Sequence, residues 1–444
     1  MTVEGITALF EPSVSIKVVE VAKKYEEPEG KPMLRTPEYT IPGGPNSYFC
    51  SENKTAWTQG FFPGLLWLLV ERLHLLPTSI NESYSEKELI RLARRYQQGF
   101  EYLKRPSINH DQGFRFQLCY GRDYDLTHDE HAKDVLITAS DSLVDRFHES
   151  AGCIRSWDKM IRVDNPDGYT AANMDEHYLV IIDNMVCSPT EAALYNKLTL
   201  QMNLDMLYQA TEITGNPEYA RIASAHAEKS MSTHVRPDGT TYHVVNMDQV
   251  TGEPLAMMTH QGYADESCWS RGQAWAMYGY AQCALRTGRV DFLATCRKVS
   301  DVFLSFLPAS GVPEWDFRAA KPCPYDASAA TVAARGLQML YLLLLPTESV
   351  AAKYYLWRAF KLIEDTLREC STSAATLKNG KVDFGSGGWE TILKHSTING
   401  NDKAPQKLMD HGLVYADYYL VEFGNEALKM GLYHRAGIGE GSEA

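Results

Sequence analysis

The feature that most limits the fold of this chain is a helix–turn–helix unit that recurs with constant spacing. Helical i, i+3, i+4, i+7 periodicity is followed by Leu200, Asn203, Leu204, Leu207 and Ala210. Thr214-Gly215 then ends that helix, and Tyr219 lies at the start of the next one. Thr287-Gly288 and Phe292 repeat this arrangement at the same spacing. The repetition predicts paired helices joined by tight turns.

Further helix pairs are predicted along the rest of the chain. They are Gly60–Leu75 with Glu86–Leu103, Phe114–Tyr120 with Asp129–Phe147, and Ala327–Leu345 with Ser349–Cys370, flanked by single helices at Ser15–Tyr25 and Leu408–Phe423. About a dozen helices without a Pro/Gly/Ser-rich linker favour a solenoid or a closed toroid over two independent domains. We therefore expect one domain over residues 1–444, with short termini that can be poorly ordered.

Composition and charge narrow the class of protein. A hydrophobic content of 44% is typical of a soluble globular enzyme, and a net charge of −13 argues against nucleic-acid binding. The longest apolar run, Leu337–Leu345, is too short to cross a bilayer, and the start of the chain lacks a signal-peptide pattern. Nine cysteines without a CxxC pair indicate reduced thiols. The expected location is the cytoplasm, with no membrane partner.

One segment combines aromatic and cationic residues in a way that suits an anionic sugar. Trp269 and Trp275 flank Arg271, shortly after His260-Gln261-Gly262. Aromatic rings can cover the apolar face of a pyranose, and a guanidinium can pair with a carboxylate through two hydrogen bonds. A buried helix with two core tryptophans is the alternative interpretation of the same residues.

Several motifs, taken together, resemble glycoside hydrolase family 88, the unsaturated glucuronyl hydrolases. The resemblance lies in His110-Asp111-Gln112-Gly113-Phe114, Ile154-Arg155-Ser156-Trp157-Asp158, Ile182-Asp183-Asn184, Arg236-Pro237-Asp238-Gly239 with Tyr242-His243-Val244, His260-Gln261-Gly262, the Ser-x-Trp-x-Arg-Gly-Gln-Ala-Trp segment from Ser267, Val312–Phe317, Asp326–Ala330 and Asp417-Tyr418-Tyr419. These matches run in order from about Trp57 to Tyr419. After Asn184 the chain departs from the family pattern.

The resemblance implies an all-α fold, the (α/α)6 barrel, or six-hairpin toroid. It also implies an enzyme that removes a Δ4,5-unsaturated uronic acid from the non-reducing end of oligosaccharides made by polysaccharide lyases. Such a sugar is a vinyl ether, so hydration needs a proton at C4 and water at C5. An unsaturated oligosaccharide is then the expected partner, and the expected assembly is a monomer or a homodimer.

The resemblance makes Asp183 the general acid/base and Asp111 the second catalytic carboxylate. Asp183 follows the apolar run Tyr178–Ile182, so we expect it to emerge from a buried element into a cavity. Burial and a neighbouring carboxylate would raise its pKa enough for it to act as an acid. The structural alternatives are a helix cap for Asp183 and an Asx-turn for Asp111.

Six further residues are predicted to bind substrate. Their positions match those of the family's site residues; they are Trp157, His243, Gln261, Trp269, Arg271 and Trp275. The tryptophans would form stacking walls, and Arg271 would neutralise the uronate or anchor the carboxylates of the site. Its alternative is a buried ion pair at a helix start. Asp326 is interpreted as a helix cap.

No HExxH, Walker or GxGxxG pattern occurs, so no metal or cofactor is expected.

Three other functions stay open at this point. The same barrel could hydrolyse unsaturated galacturonyl-rhamnose from pectin, act as an ordinary inverting glycosidase, or bind acidic sugars without catalysis.

Overall fold

The computed structural model describes residues 3–54, 56–107, 109–170, 177–185 and 203–433. Within them the predicted helix–turn–helix units are confirmed. Gly215 and Gly288 adopt the left-handed conformation, at φ values of 72° and 67°, where a side chain would be strained. Asn216 caps the helix after the first turn by accepting a hydrogen bond from the Glu218 amide, with Pro217 in the first helical position. The predicted helical position Leu200 lies outside the described residues.

Twelve α-helices form the framework of the described chain. They are α1 (Pro12–Tyr25), α2 (Phe61–Leu75), α3 (Glu86–Gln98), α4 (Arg122–Thr127), α5 (Glu130–Val144), α6 (Asn203–Thr214), α7 (Pro217–Thr233), α8 (Ser270–Thr287), α9 (Val290–Phe306), α10 (Ala327–Leu344), α11 (Ser349–Cys370) and α12 (Val414–Lys429). A π-helix over Gly113–Gly121 runs directly into α4. Short 3-10 helices cover Val3–Phe10, Pro77–Ser79, Glu101–Lys104, Ile182–Met185 and Ser386–Gly388.

The helices form two concentric layers. In the inner layer α2 contacts the π-helix, which contacts α6, and the series continues through α8, α10 and α12 back to α2. Outside these lie α3, α5, α7, α9 and α11, each packed against the inner helix of its own hairpin. Helix α1 packs against α2 and α3 and completes the outer layer. The closed order of inner helices confirms the predicted (α/α)6 toroid.

Burial distinguishes the two layers. Inner helix α8 is buried from Ser270 to Ala284, whereas outer helix α9 buries only one side. Helix α10 is long and apolar enough to cross a membrane by composition, but as an inner helix it is mostly buried in the protein. The prediction that the last helix begins at Leu408 is wrong. Residues before Val414 instead form isolated bridges, such as Asn399 with Leu408.

Short strands occupy the loops between helices. They are β1 (Arg35–Thr40), β2 (Tyr48–Glu52), β3 (Phe147–His148), β4 (Cys153–Ile154), β5 (Met160–Arg162), β6 (Asn165–Tyr169), β7 (Leu179–Ile181), β8 (Val244–Met247), β9 (Pro254–Met258), β10 (Thr376–Lys378) and β11 (Lys381–Asp383). All pair in antiparallel fashion, and β7, β8 and β9 form a three-stranded sheet. This sheet matters most for function, because the candidate site lies at one of its edges.

Candidate active site

The register of the three-stranded sheet brings distant parts of the chain together at one end of its strands. Ile181, at the end of β7, pairs with Val244 at the start of β8, which pairs with Met258 at the end of β9. Residues just beyond these positions therefore meet: Asp183 after β7, His243 before β8, and His260 with Gln261 after β9. Two of the predicted substrate-binding residues thus lie near the predicted acid.

Asp183 lies in the 3-10 helix that follows the buried strand β7. The apolar run before it is therefore a buried element, as the sequence predicted. Its side chain is 9% exposed, and its Oδ1 atom has no hydrogen-bond partner among the described residues. Burial raises the pKa of Asp183 from its ordinary 3.8 to about 7. The Arg271 guanidinium opposes this rise in pKa, and the Asp111 carboxylate adds to it by like-charge repulsion. Asp183 and Asp111 are therefore close enough to interact.

Asp111 belongs to a hydrogen-bonded group that fixes its position. The His110 Nε2 atom lies 3.2 Å from Asp111 Oδ1, and His110 Nδ1 lies 2.6 Å from Asn184 Oδ1. The Asn184 amide donates to Ser156 Oγ at 2.8 Å, while Asn203 donates to Asn184 Oδ1 at 3.1 Å. Because Asn184 Oδ1 can only accept, His110 donates from Nδ1. Burial lowers the pKa of His110, which favours the neutral ring with its proton on Nδ1.

Aromatic rings surround this pair of carboxyls. The Trp269 ring lies 4.4 Å from the His243 ring, centroid to centroid. Trp157 is half-buried and meets His243 edge-on at 6.0 Å and His260 at 5.5 Å. It also meets His110 at 6.4 Å. The predicted walls Trp157 and Trp269 therefore belong to one aromatic group that includes three histidines.

His243 has a defined tautomer. Its Nδ1 atom accepts the backbone amides of His260 at 3.1 Å and Gln261 at 3.3 Å, so the ring proton resides on Nε2. Burial, with His260 and Arg271 nearby, lowers the pKa of His243 well below its usual range and keeps the ring neutral at pH 7. The Gln261 side chain is half-buried and donates to the Ile398 carbonyl at 3.2 Å. His243 is thus a neutral donor beside the acid.

Several buried polar atoms in this region lack partners among the described residues. They are Asp183 Oδ1, His243 Nε2, His260 Nδ1 and Trp269 Nε1. An unsatisfied buried polar group costs about 1–3 kcal/mol, so native proteins rarely leave several together. Their concentration beside two carboxyls indicates a site that a polar ligand or water completes.

Arg271 forms a buried ion pair at the start of α8, which was the alternative to a direct contact with the uronate. It is 1% exposed, and its Nη1 atom contacts Asp326 and donates to the Thr397 carbonyl at 2.6 Å. Its Nη2 atom donates to the Ile398 carbonyl at 2.8 Å. These contacts anchor the guanidinium in the framework of the site, and its charge lowers the pKa of Asp183. Asp326 caps α10 as predicted, by accepting from the Ser328 amide.

Trp275 lies in the core, not in a wall that a sugar could reach. It is fully buried, and its ring packs at 5.5 Å from both Phe114 and Tyr419. It therefore follows the alternative interpretation, a core tryptophan on an inner helix. Trp269 differs because it precedes the first residue of α8 and contacts His243.

Sequence reasoning assigned no role to three residues that the structure adds to the site. His110 and Asn184 flank the two carboxyls, and their positions next to Asp111 and Asp183 were the available signal. Tyr415, at the start of α12, lies 5.4 Å from the Arg271 guanidinium and interacts electrostatically with Asp183. Nothing in the sequence marked Tyr415.

No group of three or more His, Cys, Asp or Glu that could hold a metal occurs in the described residues.

A buried carboxyl with a pKa near neutrality, a second carboxyl and aromatic rings at a loop-lined edge suit proton transfer to a sugar. The fold and the site together define a glycoside hydrolase built on a helical toroid. Similarity to known proteins shows to which family it belongs.

No family profile matches this sequence. The chain is 34% identical to an unsaturated glucuronyl hydrolase of Formosa agariphila, over 82% of this chain and 78% of that protein. It is 28% identical to an unsaturated chondroitin disaccharide hydrolase of Streptococcus agalactiae, over 87% and 84%. A solved unsaturated glucuronyl hydrolase specific for heparin superposes with a TM-score of 0.72 at 27% identity, covering 96% of this chain and 98% of that one. The chain belongs to the unsaturated glucuronyl hydrolase family.

Proposed function

We propose that this enzyme hydrates the C4=C5 double bond of an unsaturated uronic acid, with Asp183 as general acid and base. The observation that carries the proposal is the pKa of Asp183, which burial and Asp111 bring to about 7. A carboxyl with this pKa holds its proton in about half of the molecules at pH 7 and can both donate and accept during turnover.

The reaction balances with one water molecule. The Asp183 carboxylic acid donates its proton to C4, water adds to C5, and the proton released by that water returns to Asp183. The product is a hemiketal at C5, which opens by cleavage of its bond to the ring oxygen. C1 then carries both a hydroxyl and the second sugar, and this hemiacetal collapses and releases the second sugar. No group of the protein attacks the anomeric carbon, in contrast to ordinary glycosidases.

The surrounding residues support these steps. Asp111, whose Oδ1 atom lies 3.2 Å from His110 Nε2, accepts hydrogen bonds from sugar hydroxyls, and its carboxylate raises the pKa of Asp183. His243 offers a proton on Nε2 to an oxygen of the substrate, since its Nδ1 is engaged by backbone amides. Trp157, which is half-buried, provides a face for the sugar ring, while Trp269 packs against the His243 ring and supports it from within.

The test follows the double bond directly. An unsaturated disaccharide absorbs in the ultraviolet, and hydration removes that absorbance. We expect turnover by the wild type, and we expect Asp183→Asn to lose about 10²- to 10⁴-fold in kcat, since general acid–base groups contribute on that scale. Asp134→Asn, which removes an exposed carboxylate on α5, serves as the control. Glycoside cleavage with unchanged absorbance would contradict the proposal and indicate an ordinary glycosidase.

We also propose a cytoplasmic location, where lyase products arrive after import. Six of the eight cysteines in the described residues are buried, and the sequence has no CxxC pair, which suits a reducing compartment. Fractionation of cells that express the protein at native level tests this proposal. Recovery of the enzyme mainly from the culture medium would contradict it.

A further inference from the structure

A second recess adjoins the candidate site. A cavity of about 240 Å³ is lined by Trp157, Lys159, Met160, Ile161, His260 and Pro405. Trp157 and His260 belong to the aromatic group beside Asp183, so the cavity continues from the site. Its volume lies just below the roughly 300–1,000 Å³ of pockets that hold drug-sized ligands, which fits one sugar ring. Its lining is chiefly apolar, as a stacked pyranose requires.

The ammonium of Lys159 is the only cationic group in the lining of this cavity as the structure describes it. Lys159 is exposed, and no hydrogen bond or ion pair engages its Nζ atom within the described residues. The neighbouring Asp158 does not pair with it, because the Asp158 carboxylate binds the Arg146 guanidinium at 2.7 Å.

The other cations nearby are neutralised. Arg162 binds Asp164 at 3.0 Å and Asp265 at 2.9 Å. Lys403 lies 3.0 Å and 3.4 Å from the same two carboxylates. The loop that carries Pro405 is joined to the segment around β5, which Lys159 precedes, by a hydrogen bond from the Val163 amide to the Lys403 carbonyl, at 2.8 Å. This network fixes the two walls of the cavity and leaves the charge of Lys159 available.

We propose that this cavity receives the second sugar of the substrate and that Lys159 selects sugars bearing an anionic group there. The inference rests on the proposed function, because it assumes that the unsaturated ring lies against Asp183. The anionic group is a sulfate or a carboxylate, which share the chemistry that an ammonium recognises. In a chain of net charge −13, the ammonium of Lys159 offsets part of the repulsion that an anionic substrate meets at this point.

The experiment compares kcat/KM for unsaturated chondroitin disaccharides without sulfate, with 4-sulfate and with 6-sulfate, and for an unsaturated disaccharide whose second sugar is a uronate. For Lys159→Gln we expect the preference for at least one charged substrate over the neutral one to fall by about 1.5- to 5-fold, as for an exposed ion pair. The loss should appear in KM, and 0.5 M salt should reduce the preference of the wild type towards that of the variant. The sulfated and uronate substrates separate the two sources of the anionic group.

Two variants serve as controls. Lys159→Arg should keep the preference, and Lys353→Gln, which removes an exposed lysine from outer helix α11, should leave it at the wild-type value. An equal loss on charged and neutral substrates, or no change on any of them, would overturn the role of Lys159 while leaving the proposed function intact. A wild type that consumes none of the disaccharides would overturn the proposed function, and the inference with it.

Discussion

The proton on Asp183 can be tested through the pH dependence of turnover. With an ordinary pKa of 3.8, about one Asp183 side chain in 1,600 would be protonated at pH 7, whereas with a pKa of about 7 half of them are. The environment of the site thus increases the population of the acid form several hundred-fold. The difference between the two pKa values corresponds to about 4 kcal/mol of preference for the neutral form.

The sign of the pH effect follows from the role of the proton. A general acid works only in its protonated form, so kcat/KM, which reports the free enzyme, should be constant below pH 6 and fall about tenfold per unit above pH 8, with a midpoint near 7. Asp111→Asn removes the like charge, so the pKa of Asp183 should decrease and the falling limb should move to lower pH. Asp134→Asn should leave the midpoint in place.

Initial rates from loss of ultraviolet absorbance, measured at substrate concentrations well below KM between pH 5 and 9, give the profile. A kcat/KM that rises through pH 7 would mean that Asp183 must be ionised to begin turnover, and the assignment of general acid would fail. A limb that does not move in Asp111→Asn would refute the electrostatic coupling of the two carboxyls.

Three further substitutions probe the framework and the walls of the site. Arg271→Met leaves Asp326 buried without its partner, so chemical denaturation should show a loss of about 3–5 kcal/mol, and unchanged stability would contradict the buried ion pair. Gly113→Ala places a methyl group 2.2 Å from the backbone nitrogen of Asn203, so stability should decrease together with activity. Wild-type values for both would show that the backbone moves apart freely at this contact. Trp157→Ala should raise KM about 2- to 10-fold through lost stacking, with Trp157→Phe intermediate, and an unaffected KM would remove Trp157 from the sugar site.

Much of the architecture could be predicted from the sequence because inner and outer helices carry strong local signals. Turn glycines such as Gly215 and Gly288 require a left-handed backbone, and the periodic apolar positions between them indicate helices. The start of the last helix could not be found in this way. Residues from Leu408 to Leu413 have apolar positions, but they are used in isolated bridges that only the tertiary structure provides.

The sequence indicated residue types in the site, but it could not indicate the direction in which each side chain points. Asp183 and His243, whose roles the resemblance implied, lie next to strand ends that the sheet register joins. Trp275 and Arg271 lie on an inner helix that is buried all round, and periodicity does not reveal which side faces a cavity. The structure places Trp275 among core rings and Arg271 against Asp326. Residues 186–202, which follow the acid, lie outside the described part of the chain.

The order in which the ring closes has a consequence for when the enzyme becomes competent. Among the inner helices that the structure describes, α12 comes last in the chain, and it contacts both α10 and α2. Its Tyr415 lies over Arg271 and within electrostatic reach of Asp183. A nascent chain that still lacks α12 leaves the interior open to water, and hydration lowers the pKa of an aspartate. The raised pKa of Asp183 therefore depends on closure of the ring of inner helices.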